Sequence, residues 1–248
     1  MNQTIVYDIP KNIPIYLLES SSPDESGILK LLKLPFLAWK YQRFCTQSGI
    51  TVSFSLMNRP NYINILSKLF GNSAGIIISE RGTPSRQYAA QSLQGRINRF
   101  LIRHLYPKAD LITTNSLGNS EDLKHTFCIK KPISDLYNLF DIEAIQNSIK
   151  TSFKQNKYTF TLITVGRLDE GKNHLLLLEA LSKLNRTDMK LIIIGEGPLK
   201  NRLHSAIKKH RLETQVELIG FINNPFAYLA QADIFLFASR HEGFPNVI

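Results

Sequence analysis

No stretch of this chain approaches the ~18 consecutive apolar residues that a membrane-spanning helix needs, so a helical integral membrane protein is not expected. Residues 1–10 have neither a basic start nor an apolar centre, which argues against a secretory signal. Cysteine is scarce: Cys45 and Cys128 stand far apart, in no metal-ligand spacing, and read as reduced thiols of a cytosolic protein. No zinc pattern, RNA-binding consensus or alternation of aromatic and basic residues appears, so nucleic acid is not an expected partner. Acidic residues are in deficit, with 20 Asp plus Glu against 30 Lys plus Arg and a net charge of +10. That surplus is spread along the chain and points to an acidic lipid surface or a phosphorylated ligand.

What is present is organised around residues 161–198. Thr161–Val165 and Leu191–Ile194 are short apolar runs rich in β-branched residues, as suits strands buried on both faces of a parallel sheet. Between them, residues 173–184 place Leu175, Leu178, Leu181 and Leu184 at helical spacing. Strand, helix, strand is a βαβ unit. Each strand ends at glycine: Gly166–Arg167 after the first, Gly195–Glu196–Gly197–Pro198 after the second. Ligands of open α/β sheets sit at the carboxyl ends of strands. Arg167 and Lys172 lie between such an end and a helix N-terminus, where free N–H groups already favour an anion. Most Arg and Lys are solvated surface charges; this placement favours phosphate contact instead. The Gly195–Gly197 turn lacks the third glycine of a dinucleotide fingerprint, which disfavours an NAD-type enzyme or a nucleotide-sugar epimerase. Pro198 is expected at the first position of the next helix.

In order along the chain, Ile13–Leu18 reads as a first strand. Residues 28–44 carry Lys30, Lys33 and Lys40 with Phe36, Leu37 and Trp39. A core-packed helix with a solvated lysine face is preferred there over one lying on a membrane, because Pro35 interrupts it. Expected next are a strand at 51–56, a helix at 62–70 and a buried strand at 74–79, which runs into Glu80–Arg81–Gly82–Thr83–Pro84. An amphipathic helix at 91–106, a strand at 111–114 and a short helix at 120–127 follow. Residues 1–147 make one domain, the polar stretch 148–157 a linker, and 158–248 a second domain. In the latter, residues 199–210 read as a helix, 216–219 as a strand, 224–230 as a short helix and 234–238 as a buried strand. Two α/β halves of this kind are expected to face each other across a cleft.

Val165–Lys172 (V-G-R-L-x-x-x-K), Gly195–Pro198 (G-x-G-P), Ala232–Asp233 and Glu242–Asn246 (E-G-F-P-N) together resemble the donor domain of retaining GT-B glycosyltransferases of family 4. Ile78–Arg81 (I-S-E-R) and Tyr137–Asp141 (Y-N-x-F-D) are similar to that family's acceptor-side half and its exit to the linker. The resemblance implies an α/β, GT-B architecture of two Rossmann-like doubly wound domains, and transfer of a sugar from a nucleotide-diphosphate-sugar with retained configuration. It implies that Arg167 and Lys172 hold the diphosphate, with Gly166 beside them, and that Glu242 binds donor-sugar hydroxyls. The backbone of Gly243, Phe244, Pro245 and Asn246 would face sugar and phosphate, and Gly195, Gly197 and Pro198 would border the base. Glu80 and Arg81 would shape the acceptor side and the reacting centre. No metal or other cofactor is implied, because two cations and helix N-termini can balance the leaving group.

Two departures qualify this expectation. The second Glu of the family's E-x7-E motif would lie beyond Ile248, and the usual opening strand, Gly-rich turn and first helix are missing. The chain is therefore expected to be a fragment with both domains incomplete, binding a nucleotide-sugar weakly by itself. A sugar transferase building a cell-surface polysaccharide, such as lipopolysaccharide or capsule, on a lipid carrier leads. Peripheral contact with the inner, anionic membrane face is compatible with its charge. A non-catalytic remnant that keeps the fold is the alternative.

Overall fold

Short apolar runs form eight strands among the described residues, and every pairing between them is parallel. The structure, a computed structural model, describes residues 9–19, 26–149, 160–240 and 242–247. Two units, Met1–Asp135 and Leu136–Ile248, each carry a four-stranded sheet and a separate apolar core. The expected linker, 148–157, lies outside the described residues except for Ser148 and Ile149. Ser148 closes a helix whose carbonyl end is held by Asn224 within the second unit (2.9 Å).

In the first unit, α1 (Gly27–Leu32) and α2 (Leu34–Gln47) precede β1 (Val52–Leu56), α3 (Asn58–Ser67) and β2 (Gly75–Glu80). Short α4 (Pro84–Gln87), α5 (Leu93–Leu105), β3 (Leu111–Thr114), α6 (Leu117–Glu121) and β4 (Ile133–Asp135) complete it, with strands in the order β1-β2-β3-β4. Ile76, Ile78 and Ile112 are fully buried, as expected of central strands covered on both faces. The strand expected at Ile13–Leu18 is not formed: Pro14 cannot donate to a ladder, and this segment turns on an Ile13 N–H to Pro10 bond of 2.9 Å instead. Pro35 marks the interruption expected of it, since α1 ends at Leu32 and α2 begins at Leu34. It sits in the first turn of α2, where its missing N–H had no intrahelical partner to lose. The helix expected at 120–127 starts earlier, because the Ser116 hydroxyl caps α6 by accepting from Asn119 N–H (3.3 Å), and it continues as a wider π-type turn over Asp122–Thr126.

α3 departs furthest from expectation. It begins at Asn58 rather than near Tyr62, and it buries Asn58, Asn61 and Asn64 with Tyr62 and Ile65. Asn64 Oδ1 accepts from Ser53 Oγ (2.8 Å) and its Nδ2 donates to the Ser53 carbonyl (3.3 Å). Asn61 Nδ2 donates to the Ser79 carbonyl (3.0 Å), while its Oδ1 accepts from Ser55 Oγ (2.8 Å). The helix is thus tied to β1 and β2 by side-chain amides, each with a partner as buried polar groups require.

In the second unit, Asp141 caps α7 (Ile142–Ser148) by accepting from Ala144 N–H at 2.9 Å. Then come β5 (Phe160–Val165), α8 (His174–Leu184), β6 (Met189–Ile194), α9 (Lys200–Lys209), β7 (Val216–Gly220), α10 (Phe226–Leu229) and β8 (Ile234–Phe235). The strand order is β7-β6-β5-β8. Leu178, Leu181, Leu191, Ile193 and Leu203 fill the layer between sheet and helices. Asp233 of the A-D pair fastens the sheet edge: its carboxylate accepts from Thr161 N–H (2.6 Å), and its own N–H donates to the Thr161 carbonyl (2.9 Å). β8 pairs over only two residues, shorter than the expected 234–238. Beyond Leu236 the chain leaves the sheet, and Arg240 N–H reaches the Gly171 carbonyl at 2.8 Å.

Candidate functional site

The second sheet reverses its growth between β5 and β8. From β5 the chain moves through β6 to β7 on one side, then returns to place β8 on the other. In open α/β sheets such a switch point leaves a crevice at the carboxyl ends of the two diverging strands. Gly166 and Arg167 follow β5 there, and the Glu242 segment follows β8. Lys172 Nζ meets Glu242 Oε1 at 2.6 Å, joining two expected site residues 70 positions apart. The stem of Lys172 runs over Gly166, where an added Cβ would lie 3.3 Å from its methylenes, and its ammonium stands 5.6 Å from the Phe237 ring centroid. Arg167 points outward with its side chain 72% exposed, its Nε 3.8 Å from Asp169.

The Gly195–Pro198 turn owes its composition to packing. A Cβ on Gly195 would fall 2.0 Å from the Gly166 carbonyl oxygen, and one on Gly197 would fall 2.5 Å from that of Leu168. Gly195 also has φ +147°, a backbone state L side chains rarely adopt. Leu168 N–H donates to Glu196 and Leu199 N–H to Leu168, both at 2.9 Å, so the turns after β5 and β6 are bonded backbone to backbone. Pro198 is not the first residue of α9, as expected, but stands in a turn ahead of it, because these bonds hold Gly197–Leu199 out of the helix.

The N-terminus of α8 opens onto the same crevice. Asn173 precedes it in a left-handed conformation and its side chain caps nothing, so the first N–H groups remain uncapped by a side chain. His174, the first helical residue, is 3% exposed, and neither ring nitrogen has a hydrogen-bond partner. Burial pushes this imidazole below its ordinary range, against the pull of the neighbouring Arg167 and Gly166 backbone. Nothing in the residue pattern singled it out.

The Glu242–Asn246 motif meets the Tyr137–Asp141 motif inside the second unit. Asn138 Nδ2 donates to Asn246 Oδ1, and the Phe244 ring lies 5.9 Å from that of Tyr137 and 6.4 Å from that of Phe140. Y-N-x-F-D therefore packs with the second unit and not with the acceptor-side half where the sequence reading put it.

Glu80 is placed differently from its expectation. It ends β2 with 1% exposure, Oε2 accepting from Tyr106 Oη (2.7 Å) and Asn58 Nδ2 (2.9 Å), and Oε1 from the N–H groups of Arg81 (3.0 Å) and Gly82 (3.2 Å). Burial pushes its pKa up to about 7, against the lowering by the Tyr106 hydroxyl and the two backbone N–H groups, with Asp122 nearby adding to the rise. So enclosed, the carboxyl fixes the start of the Arg81–Thr83 turn. Arg81 stays partly exposed at that turn.

Residues 146–248 match the family Glycosyl transferases group 1. Across its full length the chain is 48% identical, over 250 residues, to the N-acetylgalactosamine-N,N'-diacetylbacillosaminyl-diphospho-undecaprenol 4-alpha-N-acetylgalactosaminyltransferase of Campylobacter jejuni, spanning 67% of that enzyme. A second Campylobacter jejuni enzyme, an alpha-1,4-N-acetyl-D-galactosaminyltransferase acting on a GalNAc-extended diNAcBac-PP-undecaprenol, is 29% identical over 206 residues, covering 82% of this chain and 53% of the enzyme. Among solved structures, Anabaena Alr3699/HepE in complex with UDP and glucose superposes with a TM-score of 0.68 at 19% identity, over 86% of this chain and 59% of that one. Staphylococcus aureus TarM gives 0.63 at 16% identity, over 84% and 41%. The chain belongs to the group 1 glycosyltransferases and has their GT-B fold. It spans about two thirds of the first of these relatives and about half of the second.

Proposed function

We propose that this chain serves a retaining glycosyltransferase that moves a sugar from a nucleotide-diphosphate-sugar to an undecaprenol-diphosphate-linked saccharide, in cell-surface polysaccharide synthesis at the cytoplasmic membrane face. The observation that carries the reading is the Lys172–Glu242 pair at the switch point of the second sheet. In a nucleotide-sugar, the phosphate and the first sugar carbon share one bridging oxygen. A site for it needs a cation and a hydroxyl-binding carboxylate side by side. Lys172 and Glu242 supply both within 2.6 Å, with Arg167 and the open α8 N-terminus beside them.

During transfer the bond from the sugar's anomeric carbon to the bridging oxygen breaks, the acceptor hydroxyl oxygen forms the new bond on the same face, and its proton passes to the departing diphosphate oxygen. The departing diphosphate gains negative charge, which the exposed Arg167, Lys172 released from Glu242, and the α8 N–H groups would balance. Glu242 would accept hydrogen bonds from donor-sugar hydroxyls. The glycine-lined wall at Gly166, Gly195 and Gly197, ending at Pro198, would border the base, and the Gly243–Asn246 backbone the sugar. The lipid-linked acceptor is supported by the first relative at 48% identity and by the chain's cationic surplus. Because the diphosphate's charge is assigned to protein cations, transfer should survive EDTA.

Saturation-transfer NMR with UDP, GDP and their sugars tests the reading, since it registers weak binding. Removing one charge-assisted contact, in Lys172→Met or Arg167→Met, should weaken binding about tenfold or more. Unchanged binding by Lys172→Met would refute it.

A further inference from the structure

His174 is polar where the unliganded fold gains nothing from polarity. It opens α8 with 3% exposure, and neither Nδ1 nor Nε2 has a hydrogen-bond partner. Buried polar groups are otherwise almost always paired, so an orphaned imidazole calls for a cause. A leucine of similar bulk would carry no such cost. Departures from a local rule of this kind are expected where a protein meets its ligand.

The ring lies under the loop that carries both candidate phosphate cations. It faces the Gly166 and Arg167 backbone, within electrostatic reach of Asp169 and Lys172. Asn173, left-handed at φ 54°, turns the chain into α8 directly before it. Asp169 closes the loop on itself: its carboxylate accepts from Lys172 N–H (3.0 Å) and its carbonyl from Asn173 N–H (3.4 Å). On the β6 side, Gly166 N–H donates to the Ile194 carbonyl and Leu168 N–H to that of Glu196, both at 2.9 Å.

Neither cation is set for a phosphate in this state. Arg167 Nε lies 3.8 Å from the Asp169 carboxylate, and Lys172 Nζ is bonded to Glu242. A diphosphate at the α8 N-terminus must draw both from these partners into the crevice. With Gly166 and Leu168 held by β6 and its turn, the Arg167 backbone between them is the part that can tilt. The His174 ring lies against that part. A neutral imidazole has one N–H to donate and one nitrogen to accept, and here both are uncommitted.

We propose that His174 is the positioning residue of the donor loop: when a nucleoside diphosphate binds, one ring N–H donates to the Gly166 or Arg167 carbonyl and fixes Arg167 toward the phosphates. The bond is absent from the free protein and forms only with ligand, so the ring adds to affinity and nothing to stability. This deepens the nucleotide-sugar reading given above and rests on it.

The chain, carrying isotope-labelled histidine, would be titrated with UDP and with GDP and followed by nitrogen NMR. It has six histidines, and the His174 ring signals are those lost in His174→Leu. One ring nitrogen of His174 should shift as the nucleotide saturates, in the direction of a newly donated hydrogen bond. His174→Leu should keep or raise Tm yet weaken nucleotide binding about fivefold, the worth of one neutral hydrogen bond. Opposite signs mark a positioning role, since loss of a structural ring would lower stability and affinity together. The amide of His174→Asn reaches about as far as Nδ1 and that of His174→Gln about as far as Nε2, so one of the two should recover the affinity. Ring signals that stay fixed at saturation overturn the proposal. So do unchanged affinity in His174→Leu, a fall in its Tm, or failure of both amides. If Lys172→Met still weakens binding in those cases, the transferase reading stands and only the role of His174 is lost. Unchanged binding by Lys172→Met, or no binding of either nucleotide to wild type, strikes that reading, and this proposal falls with it.

Discussion

Replacing Glu80 with Gln should flatten the pH dependence of the first unit's stability. The carboxyl is enclosed, and its pKa rises from an ordinary 4.5 to about 7. The folded state therefore holds its proton more tightly than the unfolded chain does. The resulting stability is fully present below pH 4.5 and is lost as pH rises through 7. A rise of this size corresponds to about 3 kcal/mol, since one pH decade of preference is worth about 1.4 kcal/mol. At roughly 2–4 °C per kcal/mol for a chain of this length, that is roughly 6–12 °C in Tm. Urea unfolding followed by Trp39 fluorescence, at pH 5 and pH 8, isolates the first unit because the only tryptophan lies in it. Wild type should lose stability over this interval while Glu80→Gln stays level. The amide cannot serve all four donors around it, so the variant is expected to be less stable at pH 5. Asp110 and Asp135 are held below the usual carboxylate range, by the Ile76 N–H with Lys68 and by the Ser120 and Thr114 hydroxyls, so they act below this interval. His174 acts within it with the opposite sign, but in the second unit, and the comparison with the variant cancels it. Parallel losses in wild type and Glu80→Gln would refute the reasoning, by showing that the carboxyl titrates as an exposed one.

Two further substitutions probe the second unit. Gly195→Ala places a methyl carbon 2.0 Å from the Gly166 carbonyl oxygen and should cost ~3 kcal/mol or more; an unaltered second-unit melting transition would disprove the packing account. His174→Leu removes a buried imidazole without hydrogen-bond partners, so it should be neutral or stabilising. Because burial depresses this histidine's pKa, wild type should lose stability as pH falls below about 6.5, and the variant should not; circular dichroism melts at pH 5 and 7.5 would show it.

The second unit was largely legible in the sequence because its strands are runs of β-branched residues ending at glycine. β5 and β6, with α8 between them, begin within two residues of where the pattern put them. Lys172 and Glu242 could be nominated from motifs, but their contact could not, since it depends on β8 returning beside β5. The first unit hid more. α3 is expected only from Tyr62, because Asn and Pro at 58–61 disfavour helices, yet its amides face inward to partners on β1 and β2. Glu80 could be nominated because a charged group at a strand end commonly lies at a site, but its enclosure by Tyr106, 26 residues on, could not be read. Ile13–Leu18 carried the composition of a strand without a neighbour to pair with.

Apolar contacts let a helix slide or roll at small cost, whereas hydrogen bonds to carboxamides have direction. α3 has three such amides seated on β1, β2 and Tyr106, so it has one rotational and one axial setting against the sheet. Displacing it by one residue would strand each of them in the interior, at ~1–3 kcal/mol apiece. The scaffold that carries Arg81 is thereby fixed in one setting.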